Sequence, residues 1–134
     1  FPTRRSSDLW VVGDEIYTPS VPGDALRSLV NPTLYNQPDH MNNYRNLPNT
    51  KAGDYGGVHI NSGIPNKAGY LVAQSIVCEK TSRIYYRALT VYFNSTTNFV
   101  QAKLGLVQAA QDLYGANSAE AKAVTDAYTT VGIN

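Results

Sequence analysis

Apolar residues recur every three or four positions through the second half of the chain, from about residue 63 onward. This is the period of an amphipathic α-helix, and it predicts four consecutive helices with one buried face each. The predicted buried stripes are Ile64, Ala68, Leu71 and Val72; then Ile84, Tyr85, Ala88, Leu89 and Tyr92; then Val100, Leu104, Val107, Ala110 and Leu113; and finally Ala121, Val124, Ala127 and Tyr128.

Polar residues and glycines between the stripes predict where the helices begin and end. The polar segment 79–82 is expected to end the first helix and to cap the second. Gly115 is predicted to end the third helix in a left-handed conformation. Asn117 and Glu120 have the spacing of a capping box, which places the start of the fourth helix there.

The first half of the chain predicts irregular structure. Residues 10–12 and 16–19 are short β-prone runs separated by a polar turn. Residues 31–53 contain three prolines and many asparagines, which predicts a long loop, and His40 is interpreted as a polar histidine within it. The predicted fold class is therefore mainly α, with about four helices after an irregular strand and loop part, in one domain over residues 10–134.

Composition narrows the classes of partner. The chain has 134 residues with 43% hydrophobic content, enough for one core, and a net charge of +1. Neither a nucleic-acid partner nor a membrane surface is expected, because both require a basic patch. No apolar run is long enough to cross a bilayer and no signal peptide is recognised. Cys78 is the only cysteine, so an internal disulfide is excluded.

Residues 1–9, FPTRRSSDL, read as the translation of a common sequencing-library adapter. We interpret them as a non-native tail, against the alternative of a natural basic terminus, and take Trp10 as the first native residue. The chain is then expected to be the C-terminal part of a longer reading frame.

The segment Asp54–Lys67 concentrates glycines, a proline and one of the two histidines. In an extended segment, His59 would point away from its two apolar neighbours. Asn61 and Ser62 can cap a helix that starts immediately afterwards, and Pro65 fits the first turn of that helix. His59 is therefore predicted to sit just before a helix.

A carboxylate lies five residues before this histidine, close enough for Asp54 to reach the ring of His59. Such a partner sets the tautomer of an imidazole, and the imidazole can then donate a hydrogen bond to a developing oxyanion. The alternative is a structural histidine in a polar turn, and spacing alone favours that alternative.

The same segment closely resembles the GGVHINSGIxNKAxYL signature of the thermolysin-like zinc metalloendopeptidases, almost continuously from Asp54 to Ala73. Weaker similarity extends over nearly all of residues 10–134 and corresponds to the C-terminal helical domain of that family. The resemblance implies a secreted enzyme that cleaves peptide bonds in proteins. It also implies that His59 stabilises the oxyanion or donates a proton, and that Asp54 holds the imidazole.

A second match is GDALRSL, residues 23–29, which resembles the GDSLRSM segment of the family. It implies that Arg27 donates to the carbonyl of the substrate residue after the cut bond, a task suited to a rigid, permanently charged guanidinium. It also implies that Leu26 forms a wall of the pocket for that residue.

Residues 10–27 resemble the calcium-binding segment of the family, and carboxylate and main-chain oxygens are suitable calcium ligands. Asp14 matches a ligand of one site and Glu15 a flanking acid. The residues matching a second site are Tyr17, Thr18, Val21 and Asp24, the first and third through main-chain oxygens. The alternative is a set of solvated loop acids.

The chain contains no HExxH motif, whose two histidines hold zinc and whose glutamate acts as general base in this family. Zinc ligands are therefore expected on an N-terminal half missing from this chain, and the chain alone is expected to be inactive. The competing interpretation is a non-catalytic helical module with the same fold that binds a peptide or calcium.

Overall fold

A computed structural model describes residues 10–134, and the proposed adapter-derived tail, residues 1–9, lies outside the described residues. The chain divides into two compact units, the first ending at Tyr70 and the second spanning Leu71–Asn134. The predicted class is confirmed, because strands and turns come first and helices dominate the rest.

The first unit opens with two short antiparallel strands, β1 (Val11–Val12) and β2 (Arg27–Ser28). Val11 lies opposite Ser28 in this pair. The strand predicted at residues 16–19 is wrong, because these residues form turns. The amide of Tyr17 donates to the carbonyl of Gly13 at 2.8 Å, which closes a turn and leaves no extended edge.

The loop predicted for residues 31–53 is confirmed, since it contains neither an α-helix nor a strand. Three 3-10 turns give it local order, at Pro32–Tyr35, Met41–Asn43 and Lys51–Gly53. His40 caps the second of these turns, its Nδ1 accepting from the amide of Asn42 at 3.0 Å.

The extended conformation predicted around His59 is wrong. Helix α1 spans Asp54–Asn61, and its first four residues have positive φ, namely Asp54, Tyr55, Gly56 and Gly57 (54°, 49°, 84° and 78°). Glycine tolerates this left-handed conformation, which turns the chain sharply before the regular helix that carries His59. Ser62 is itself helical (φ −59°, ψ −17°) and joins α1 to α2, so it does not cap α2 as predicted.

Helix α2 (Gly63–Ile76) begins at residue 63, where the helical period of apolar residues predicted a helix to begin. The predicted break at residues 79–82 is wrong, because helix α3 already begins at Cys78 and runs to Arg87. A single residue, Val77, separates the two helices at φ 67° and ψ 156°. The hydroxyl of Thr81 donates back to the carbonyl of Val77 at 2.9 Å instead of capping a helix.

The chain continues from α3 through a π-helical turn, Ala88–Tyr92, to helix α4 (Phe99–Tyr114). Gly115 follows the end of α4 as predicted, but at φ 104° and ψ 154° it does not adopt the left-handed helical conformation expected of this cap. Helix α5 (Ala119–Thr130) is capped by Ser118, whose hydroxyl accepts from an amide in the first turn, and not by Asn117. The capping box of this unit lies at the start of α4 instead, between Asn98 and Gln101.

The core of the second unit follows the predicted stripe closely in α5 but not in α4. The buried residues of α5 are Ala121, Ala123, Val124, Ala127 and Tyr128. In α4, Leu104 is 63% exposed, and the buried residues are Gly105, Leu106, Ala109 and Ala110. A Cβ at position 105 would lie 3.0 Å from the ring of Phe93, so a small residue is required there. In α3 Ile84 is buried as predicted, whereas Leu89 in the following turn is 63% exposed.

Within residues 10–134, no helix is both long and apolar enough to cross a membrane.

Candidate functional site

The carboxylate of Asp54 forms a clamp on His59, because it accepts hydrogen bonds from both the ring and the main chain of that residue. Its Oδ1 lies 2.5 Å from Nδ1 of His59, and its Oδ2 accepts from the amides of His59 and Ile60 at 2.9 and 3.1 Å. An ionised carboxylate only accepts, so Nδ1 carries the proton. The side chain of His59 is 73% exposed, which leaves Nε2 directed away from this clamp for other partners.

These contacts lower the pKa of the Asp54 carboxyl below its usual value. The hydrogen bond from the His59 ring is the largest cause, and the two main-chain amides reinforce it. The left-handed turn at residues 55–57 makes the clamp possible, since it folds the start of α1 back toward its regular helical part. The predicted pairing of Asp54 with His59 is therefore present in the structure.

Arg27 reaches the same turn from strand β2. Its Nη1 donates to the hydroxyl oxygen of Ser62 at 3.0 Å, and that hydroxyl donates to the carbonyl of His59 at 2.7 Å. Leu26, next to Arg27, is 47% exposed. The structure thus joins two of the predicted site residues, Arg27 and His59, through one serine.

Two further side chains hold the histidine turn, and sequence reasoning missed both roles. Gln37 donates its Nε2 to the carbonyl of His59 at 2.7 Å. Asn61, predicted as a helix cap, is 2% exposed and bonds both main-chain groups of Arg45 at 3.0 Å. A side chain at Gly57 would place a Cβ 2.6 Å from the side-chain amide nitrogen of Asn61. The glycine pair of the motif was therefore the sequence feature that could have indicated the packing of Asn61 against this turn.

The candidate calcium residues are only partly brought together. The hydroxyl of Thr18 donates to Oδ2 of Asp24 at 2.7 Å, and the amide of Asp24 lies 3.3 Å from the carbonyl of Val21. Asp14 and Glu15 lie in the preceding turn, and they do not form a cluster of three acidic side chains with Asp24.

Zinc does not fit the part of the chain that the structure describes. No three His, Cys, Asp or Glu side chains of residues 10–134 lie together as a metal-binding group. No step involving zinc can therefore be derived from these residues.

The fold and the site together define a class of protein. It is a helical domain that presents a histidine held by a carboxylate, with an arginine nearby. Comparison with known families makes the assignment specific: residues 3–133 match the thermolysin metallopeptidase α-helical domain. The chain belongs to this family.

Relatives carry the same domain within longer proteins. The chain is 56% identical over 124 residues to bacillolysin of Bacillus amyloliquefaciens, covering 92% of the chain and 23% of that protein. It is 55% identical to neutral protease NprE of Bacillus pumilus, covering 40% of that protein. The solved precursor of protealysin, a metalloproteinase from Serratia proteamaculans, superimposes with a TM-score of 0.76 at 30% identity, over 93% of this chain and 41% of that one. The chain thus spans less than half the length of these relatives.

Proposed function

We propose that this chain is the C-terminal helical part of a secreted zinc metalloendopeptidase, and that it supplies the substrate-side wall of the cleft. The observation that carries this proposal is the Asp54–His59 pair, with Arg27 joined to the same turn through Ser62. A histidine needed only to fill a turn would not require both carboxylate oxygens and a connected guanidinium.

In the proposed reaction, His59 stabilises the tetrahedral intermediate. Its Nδ1–H donates to Asp54, which keeps the imidazole oriented. Nε2–H then donates to the developing oxyanion or passes its proton to the leaving group. Donors fixed in advance are effective here because they need no reorganisation as charge develops.

Arg27 binds the carbonyl of the substrate residue after the cut bond. The hydrogen bond from Nη1 to Ser62 uses one of the five guanidinium N–H donors, so others are available to a peptide carbonyl. Leu26 lies next to it with 47% of its surface exposed, and in this proposal it lines the pocket for the side chain of that residue.

Zinc and the rest of the cleft belong, in this proposal, to another part of the parent protein, so residues 10–134 alone have no peptidase activity. The names of the relatives support a secreted metallopeptidase. They include a neutral protease, a metalloproteinase, and an extracellular elastase of Staphylococcus epidermidis that is 49% identical over 126 residues.

Calcium is proposed to bind the segment Asp14–Asp24, with the adjacent Thr18 and Asp24 as the centre of one site. Tyr17 and Val21 add main-chain oxygens there, and Asp14 with Glu15 serves a separate site. Calorimetric titration with Ca²⁺ tests this assignment: Asp24→Asn should abolish the heat of binding at the site formed by Thr18 and Asp24, and unchanged binding by this variant would contradict it.

The peptidase role is tested in a graft. Residues 10–134 replace the matching segment of the Bacillus amyloliquefaciens relative, which is 56% identical. His59→Ala should lower kcat on a peptide substrate by about 10²–10³-fold, the usual effect of losing one oxyanion donor. Zinc content, measured by atomic absorption, should not change, because His59 is not a ligand in this proposal.

The matched control is His40→Ala, which removes the other histidine of the chain. His40 caps a 3-10 turn, so its substitution should leave kcat unaltered. A graft without activity, or a His59→Ala variant that retains full kcat, would contradict the proposed function. The second result would favour a non-catalytic module that binds a peptide or calcium.

A further inference from the structure

Gln37 contacts His59 at the main-chain carbonyl of His59. The residue is 8% exposed, and its Nε2 donates to the carbonyl of His59 at 2.7 Å. Its Oε1 is buried and makes no hydrogen bond with any described residue. Buried amide oxygens usually accept a hydrogen bond. The side-chain amide of Gln37 is therefore not in an orientation that gives both of its own polar atoms a hydrogen bond.

The segment around Gln37 is fixed independently of His59. Gln37 donates its amide to the carbonyl of Pro32 at 3.2 Å, and Asn36 before it adopts a left-handed conformation at φ 59°. Gly63 allows this segment to approach the junction of α1 and α2. A Cβ on Gly63 would lie 2.8 Å from the Cβ of Gln37 and 2.4 Å from the carbonyl of Pro38.

The main chain of His59 is thus held on both sides. Its amide donates to Asp54, and its carbonyl accepts from Gln37 and from Ser62. The hydrogen bond from Nδ1 to Asp54 restricts rotation of the ring, but the position of the ring also depends on where the main chain lies. Gln37 sets that position from a segment 22 residues away.

We propose that Gln37 is a positioning residue for His59 in the peptidase reaction, an inference that rests on the function proposed above. Gln37 holds the carbonyl of His59 in place without touching substrate. Because Ser62 shares that carbonyl and bonds Arg27, Gln37 also sets the separation between the imidazole and the guanidinium. That separation must match the distance between the oxyanion and the next carbonyl of the substrate.

The inference is tested by kinetics in the graft. Gln37→Met keeps a similar volume and removes the donor, so the carbonyl of His59 is held by Ser62 alone. We expect kcat to fall about tenfold, since small displacements of a catalytic group are costly. KM should change by less than about twofold, because Arg27 keeps its contact with Ser62.

Gln37→Glu provides a readout that simple packing would not change. An ionised glutamate cannot donate to the carbonyl of His59, whereas a protonated one donates through its hydroxyl. Burial raises the pKa of such a carboxyl, so protonation occurs under mildly acidic conditions. We expect the ratio of variant kcat to unsubstituted kcat to rise as pH falls, whereas a role in packing alone gives a constant ratio.

Gln74→Met is the matched control, because Gln74 is exposed on α2 and should tolerate the change without effect on kcat. Unaltered kcat in Gln37→Met would overturn the inference, provided that His59→Ala is impaired in the same graft. Unaltered kcat in His59→Ala would instead overturn the proposed function. If Gln37→Met does not fold, the pH dependence of Gln37→Glu decides, and a constant ratio overturns the inference.

Discussion

At the scale of single residues, the Asp54 carboxylate holds the imidazole of His59 in one orientation. The motif predicted that the carboxylate would reach the ring, and their atoms lie 2.5 Å apart. The mode of contact was not predicted, because the extended segment inferred from the apolar neighbours of His59 is a helix. Four successive residues with positive φ, two of them glycines, bring the carboxylate back, and hydrophobic patterning contains no information about such a turn.

Gln37 and Asn61 show what sequence patterns omit. Their partners, His59 and Arg45, lie 22 and 16 residues away, and the intervening chain runs through 3-10 turns. Periodicity relates residues only within a regular element, so neither contact could be inferred from spacing. Arg27 was found only because its short motif is similar to a family segment.

Asp54→Asn tests the clamp through its dependence on pH. The pKa of Asp54 is lowered in the folded chain, so its stabilising contribution is present above the unfolded pKa and is lost as pH falls through the folded pKa. Thermal unfolding should show a lower Tm for Asp54→Asn near neutral pH and a difference that disappears in strong acid.

The control for this prediction is the same change made in His59→Ala. Because the His59 hydrogen bond is the largest cause of the lowered pKa, most of the pH-dependent difference should vanish in that background. A difference in Tm that is constant with pH in the unsubstituted chain would show that the clamp contributes no linked stability.

The prediction of the buried face had different outcomes in two helices of the second unit. The stripe of α5 was predicted correctly, whereas α4 buries Gly105 and Ala109, which a hydrophobic pattern ranks below Leu104. Small residues can face a close neighbouring element, so the geometry of packing decided which face was buried.

Val77 is a strained link between α2 and α3. A β-branched residue at φ 67° and ψ 156° occupies a region that is normally reserved for glycine. Val77→Gly should raise the free energy of unfolding by about 1 kcal/mol, since relief of strain exceeds the added entropy of the unfolded chain.

Urea unfolding measures this effect, and Val100→Gly is the control because Val100 is an exposed valine inside α4. The control variant should be destabilised by about 0.5–1 kcal/mol, as glycine is a poor helix former. Destabilisation of Val77→Gly to a similar extent would contradict strain at this link.

Asp112 ties the π-helical turn to α4. It accepts from the hydroxyl of Tyr92, from Nε of Arg87 at 2.9 Å and from Gln108 at 3.0 Å. The hydrogen bond from Tyr92 is the largest cause of a pKa for Asp112 lowered to about 2. The stabilising contribution of Asp112 is therefore present above its unfolded pKa and is lost as pH falls toward this value.

Asp112→Asn should consequently be less stable than the unsubstituted chain near neutral pH, and this difference should shrink in strong acid. Urea unfolding at both pH values measures it. Asp126→Asn is the control, because Asp126 only pairs with Lys122 on the exposed face of α5 and should have little effect. Equal effects of the two variants would contradict a special role for Asp112.

At the scale of the whole molecule, some apolar side chains of the described residues remain exposed near the proposed substrate site. In the first unit, Leu26 and Val58 are 47% and 55% exposed near the proposed substrate site. The relatives are longer than this chain, which spans 23% of one and 41% of another. The fold class could be predicted from the periodicity of apolar residues. The proposed function could not be predicted in that way, because it was inferred from the similarity of the motif around His59 to a family signature.

In the proposed function, Asp54 acts on peptide hydrolysis through His59, and a double-mutant cycle in the graft tests this coupling. We would measure kcat/KM for Asp54→Asn, for His59→Ala and for the two changes combined. We expect a loss for each single variant and no further loss in the combined variant, because Asp54 has nothing to orient once the imidazole is gone. Losses that multiply, or an unimpaired His59→Ala variant, would contradict it.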